Sequence, residues 1–167
     1  HLSSGSSVAS DRVLFAIGRH PNVANLGLEK AGVAINPDNG GIAVDAFCRT
    51  SVPHIYAIGD VTHRINLTPV AIREGHAVAD NLFGGKDVRV DYANIPTAVF
   101  SQPEVGTVGL TEQQARAMYP AVDIYRTDFR PIKATISGSQ VRTLMKLVVD
   151  GTTGRVLGCH IVGPEAA

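Results

Sequence analysis

An apolar run that closes on Gly-Asp, with a Thr-Pro soon after it, constrains this chain more than any other feature. The run is Thr50-Ser-Val-Pro-His-Ile-Tyr-Ala-Ile-Gly-Asp60, and the second part is Leu67-Thr-Pro-Val-Ala71. Ile55 to Ile58 reads as a buried strand, with Gly59 as the turn that ends it. In open α/β sheets, ligands gather at the carboxyl ends of the strands, where Asp60 falls. A residue without a Cβ lets the backbone turn sharply and a ligand come close. An ionised carboxylate only accepts hydrogen bonds, so Asp60 suits a partner rich in hydroxyls.

Thr68-Pro69 reads as a helix start, with Thr68 as N-cap and Pro69 at the first helical position. The free N–H groups and the dipole make such an end locally positive. Gly-Asp alone fits an ordinary turn equally well, and Thr-Pro alone fits an ordinary helix start. The two in this order are more specific. They place an acceptor of sugar hydroxyls beside a positive helix end, which suits a flavin's ribityl chain and the pyrimidine edge of its ring.

Composition sets the broad class. The chain has 167 residues, 44% apolar and 18% charged, with Lys plus Arg equal to Asp plus Glu. That is enough for a core and ordinary for a globular protein. A formal net charge of zero gives no electrostatic footprint for nucleic acid. No apolar run approaches the ~20 residues of a membrane-spanning helix. Cys48 and Cys159 form no Cys-x-x-Cys pair, so a cytoplasmic, reducing compartment is expected. His1-Leu2 runs into Ser3 to Ser7 and then Val8, like the second half of a hairpin; an expression linker is the alternative. The far end stops at what reads as a helix entrance. The chain is therefore expected to be a piece of a longer protein.

Three sections emerge, α/β followed by α+β. Residues 1–21 hold a hairpin and the apolar strand Val13 to Ile17, ending at Gly18-Arg19. Residues 22–90 hold a short helical turn near Leu28, a hairpin around Pro37 to Gly41, the Ile55 to Ile58 strand, and the helix after Pro69, stopped by Gly84-Gly85. Residues 91–167 change character. Strands are predicted at 95–100, 105–110, 122–129, 143–149 and 156–162. Thr111 and Gln114 form a capping box for one helix among them. An antiparallel sheet with a helix follows.

Other candidates are weaker. Gly18-Arg19 after a buried strand could admit a flat ligand and pair with a phosphate. His54, His63, His76 and His160 show no metal-ligand spacing. Cys48 and Cys159 read as packed thiols. Arg130 and Lys133 flank Pro131 and fit either an anionic pocket or a solvated face.

Taken in order, these motifs resemble a known family. Ala16-Ile-Gly-Arg-His-Pro-Asn22, Thr50 to Asp60, Leu67 to Ala71, Asn94 to Pro103 and Gly106 to Glu112 closely resemble glutathione reductases, flavin disulfide reductases of the pyridine nucleotide type. Phe129 to Gly138 is similar to the plant, cyanobacterial and related bacterial branch. The resemblance implies the end of a Rossmann-like NADPH domain (1–21), the C-terminal part of an FAD domain (22–90) and an antiparallel interface domain that forms a homodimer (91–167). It implies FAD contacts at Asp60, Leu67 and Thr68, and NADPH contacts at Gly18, Arg19, Asn66 and Ala98. His76 stands where an arginine usually meets glutathione disulfide, and Glu104 replaces a common proline. The family's redox cysteines and its catalytic His and Glu have no counterpart here, so no catalytic residue is expected in this chain. Trypanothione reductase is the nearest alternative, and a non-catalytic dimerisation module is the alternative of another class.

Overall fold

The computed structural model describes residues 3–167. The expectation for His1-Leu2 lies outside the described residues. The chain forms two compact units, His1–Val90 and Asp91–Ala167.

In the first unit, the expected strand Val13 to Ile17 is absent. Residues 8–20 form no helix or strand, and Val13, Leu14, Phe15 and Ile17 are 71%, 90%, 78% and 91% exposed. The reason is that a strand exists only through its ladder partners. No described strand pairs with this segment, so its apolar side chains stay in solvent. The expected strand Ile55 to Ile58 shrinks to one antiparallel bridge, Arg49 with Tyr56. It folds back locally instead: the Thr50 N–H donates to the Ile55 carbonyl, and the Ala57 N–H to that of Cys48. The Pro37–Gly41 hairpin forms as expected, around the bridge between Ile35 and Ile42.

Helix α1, Leu28–Ala31, sits between Gly27 and Gly32, both left-handed. Val33, Ile42 and Ala57 form the core of this unit, packed by Val23, Leu28, Val44, Val52, Ile55 and Val61. A 3-10 turn, Gly59–Thr62, leads toward helix α2, Thr68–Phe83. The N-cap is Leu67, in extended conformation, and Thr68 is the first helical residue with no side-chain cap. The Leu67 carbonyl accepts the N–H groups of Val70 and Ala71, which moves the cap one residue earlier than the Thr-Pro pattern suggests. Val70, Glu74 and Ala77 are the buried residues of α2, and their spacing marks one face.

The second unit is built on a five-stranded, fully antiparallel sheet. Its strands are β1 (Thr97–Val99), β2 (Val105–Gly109), β3 (Val122–Phe129), β4 (Thr143–Asp150) and β5 (Val156–Val162), in the order β1-β2-β5-β4-β3. Helix α3, Glu112–Met118, carries the expected capping box between Thr111 and Gln114. Its Ala115 packs with Val148 of β4 and Leu157 of β5 in a core that also takes Leu110, Tyr119, Val122 and Ile124. Helix α4, Ile132–Ser137, was not foreseen in the sequence. It starts after Pro131, ends at left-handed Gly138 and buries only Ala134.

Candidate functional site

The turn Gly59–Thr62 is held from several directions. The Gly59 N–H donates to Glu74 Oε2 at 2.6 Å. The Thr62 hydroxyl donates back to the Gly59 carbonyl at 2.8 Å. The Val61 carbonyl accepts the Ile42 N–H at 2.9 Å. Beyond the turn, the Asn39 amide reaches the His63 carbonyl at 3.2 Å. Gly59 itself lies against the first turns of α2. A Cβ there would fall 3.0 Å from the Ala71 Cβ, and its φ of +69° is left-handed. Only a residue without a Cβ meets both demands without cost.

Asp60 sits on this fixed backbone with a free head. Its side chain is exposed, and among the described residues its carboxylate has no hydrogen bond or ion pair. Asp60 and Asn66 line a cavity of about 260 Å³ together with Arg19, His20 and Asn22. The Asn66 amide lies 3.3 Å from His63 Nδ1. Arg19 and Asp60 share the cavity without forming an ion pair. A carboxylate with its acceptor sites open, on a backbone that has lost its freedom, fits a ligand that offers hydroxyls. The Arg19 guanidinium, without a partner among the described residues, adds donors in the same cavity suited to phosphate or carboxylate.

The structure thus brings together three of the residues singled out in the sequence: Arg19, Asp60 and Asn66. Gly18 precedes them with φ +125° and open space where a Cβ would stand. Leu67 and Thr68 begin α2; the Leu67 N–H donates to the Ile65 carbonyl and Pro69 has none, so the Thr68 N–H is the one at this helix start without an intrahelical acceptor. His76 is exposed on α2, and Ala98 lies in β1 of the other unit.

Sequence reasoning missed the group beneath the turn. Glu74 is buried, and its Oε1 pairs with Arg64 at 3.0 Å. Arg64 also donates to Cys48 Sγ at 3.1 Å. Burial pushes the Cys48 thiol up from its ordinary value, and the Arg64 contact offsets only part of that. Cys48 is therefore a packed thiol. A signal for Glu74 did exist: it stands four residues after Val70 and three before Ala77, on the buried stripe. Elsewhere, Lys133 pairs with Glu165 on an exposed surface, so the solvated-face reading of Lys133 holds. Among the described residues, no group of three or more His, Cys, Asp or Glu is placed to hold a metal.

The model of the pyridine nucleotide-disulphide oxidoreductase family matches residues 1–75, and the model of that family's dimerisation domain matches residues 95–167. The chain belongs to the pyridine nucleotide-disulphide oxidoreductase family. Members of this oxidoreductase family, glutathione reductases among them, use FAD and NADPH. A glutathione reductase of Burkholderia cepacia is 53% identical over 99% of this chain and 37% of its own length. A trypanothione reductase of Trypanosoma congolense is 46% identical over 99% of this chain and 34% of its own. The solved Cu(II) complex of the HOCl-induced flavoprotein disulfide reductase RclA from Escherichia coli superposes with a TM-score of 0.85. It is 32% identical, over 99% of this chain and 38% of that one. The chain spans about a third of the length of the curated relatives it matches. No described helix of this chain is long and apolar enough to cross a membrane.

Proposed function

We propose that this chain is part of an FAD-dependent glutathione-disulfide reductase that takes electrons from NADPH. One observation carries the reading: among the described residues the Asp60 carboxylate stands without a partner, on a turn locked to α2. In this role Asp60 accepts hydrogen bonds from ribityl hydroxyls, and the start of α2, where Thr68 follows Leu67, presents the Thr68 N–H to the flavin's pyrimidine edge. Bound FAD would supply the two-electron chemistry between the nicotinamide and a disulfide. Gly18, Arg19, Asn66 and Ala98 are assigned to the nicotinamide nucleotide, with Arg19 suited to a phosphate. Residues 1–21, 22–90 and 91–167 are the NADPH, FAD and dimerisation portions, and the sheet of the last forms the homodimer. The free thiols of Cys48 and Cys159 accord with a cytoplasmic, reducing setting.

The sequence contains no Cys-x-x-x-x-Cys pair, so this chain by itself is expected to turn over no disulfide. His76 favours a second reading. It replaces the arginine expected at the peptide substrate, which leaves trypanothione disulfide as the alternative to glutathione disulfide.

The test uses the full-length protein. Purified protein should show flavin absorbance, bleach on addition of NADPH, and recover colour with glutathione disulfide. A protein that stays colourless after reconstitution with FAD overturns the reading. Recovery with trypanothione disulfide alone assigns the second substrate.

A further inference from the structure

We infer that Glu74 is a positioning residue for the flavin site, acting on Asp60 through the Gly59 N–H. This deepens the proposal above and rests on its reading of Asp60.

Glu74 is 1% exposed, which is rare for a carboxylate unless each oxygen has a partner. Both are used. Oε2 takes the N–H of Gly59 at 2.6 Å, and Oε1 takes Arg64 at 3.0 Å. The first bond decides the direction of the next residue. Gly59 has no side chain to hold it in its left-handed conformation, so its orientation depends on its N–H, on the Thr62 hydroxyl at its carbonyl and on contact with Ala71. Glu74 lies one turn beyond Ala71 on the same face of α2. The helix therefore grips Gly59 twice, once by packing and once by a charged acceptor. Asp60 follows directly and inherits that orientation.

Arg64 completes the device. Burying a carboxylate is costly unless a cation accompanies it, and the Arg64 guanidinium does so while also donating to Cys48 Sγ. Arg64 is 24% exposed and Glu74 1%, so the cation reaches in from the rim. Glu74 makes no contact with the cavity that Asp60 lines. Its effect on a cofactor must pass through the Gly59–Asp60 backbone.

A double-mutant cycle on the full-length protein tests this, with FAD dissociation read by flavin fluorescence. Glu74→Gln keeps the side chain's size and an acceptor for Gly59 but removes the charge that pairs with Arg64. It should weaken FAD binding about 3- to 10-fold in the native background, the range of a weakened hydrogen bond. In an Asp60→Ala background the same change should have less than about a 2-fold effect, because no carboxylate is left to aim. Arg64→Lys, which keeps charge but loses the fork, should couple to Asp60→Ala in the same way; it serves if Glu74→Gln fails to fold. A merely structural role predicts the same loss in both backgrounds, and that result overturns the inference. So does a Glu74→Gln protein with native FAD affinity while Asp60→Ala is impaired. Native affinity in Asp60→Ala itself overturns the underlying reading of Asp60, a distinct failure.

Discussion

Replacing Gly59 by alanine separates the two demands that its position makes. The backbone demand is φ +69°, and the packing demand is a Cβ only 3.0 Å from that of Ala71. Left-handed conformation costs an L-residue about 1–2 kcal/mol. Two carbons at 3.0 Å sit well inside the usual 3.5–4.0 Å contact, and relieving such overlap in a packed site costs about 1–3 kcal/mol. Gly59→Ala should therefore destabilise by about 2–5 kcal/mol. Gly40 supplies the control. Its φ is +73°, yet nothing lies within 4 Å of where its Cβ would stand. Gly40→Ala carries the backbone cost alone, about 1–2 kcal/mol. Both gain the same small benefit from a stiffer unfolded chain, so it cancels in the comparison. Urea unfolding of the two full-length variants, followed by circular dichroism, gives the difference directly. FAD retention should fall in Gly59→Ala and hold in Gly40→Ala. Equal destabilisation by the two substitutions would refute the claim that α2 touches the turn at Gly59.

Three further outcomes are expected. Thr111→Ala removes the capping box that closes α3, in which Gln114 N–H donates to Thr111 Oγ1 at 3.3 Å; it should cost about 1 kcal/mol in urea unfolding. The Glu112 carboxyl is held below its ordinary 4.5 by Lys146 first and Arg116 second. A lowered folded value gives stability that is full above 4.5 and lost as pH falls through that lowered value. The urea midpoint of Glu112→Gln should therefore fall less steeply with pH below 4.5 than that of the unsubstituted protein. Iodoacetamide labelling with peptide mapping should modify half-buried Cys159 in the native protein and reach Cys48 only on unfolding, because burial raises the Cys48 thiol and shields it.

The antiparallel unit was legible because its signals are local. Turn chemistry at Thr152 to Gly154 separates β4 from β5, and the Thr111/Gln114 pair marks the start of α3. Strand bounds at 122–129 and 156–162 follow from β-rich runs ended by such breakers. Helix α4 escaped because a six-residue helix after Pro131 has too few turns to show a period. Val13 to Ile17 misled for the opposite reason. Its composition is that of a strand, but pairing is not a property of a segment, and the described residues supply no partner. At the site, Gly59 and Asp60 stood out because their chemistry is unusual where they occur. Glu74 did not, since a glutamate in a helix is commonplace until something covers it.

The order of motifs by itself pointed to the family, the two kinds of architecture and Asp60 at the end of its turn, because turn residues, caps and breakers act over a few neighbours. Only the folded chain decided that Glu74 is buried, that Arg64 neutralises it, and that Arg19, Asp60 and Asn66 share one cavity. Those facts depend on which surfaces meet across dozens of residues, and burial changes the energy of a charge far more than its sequence neighbours do.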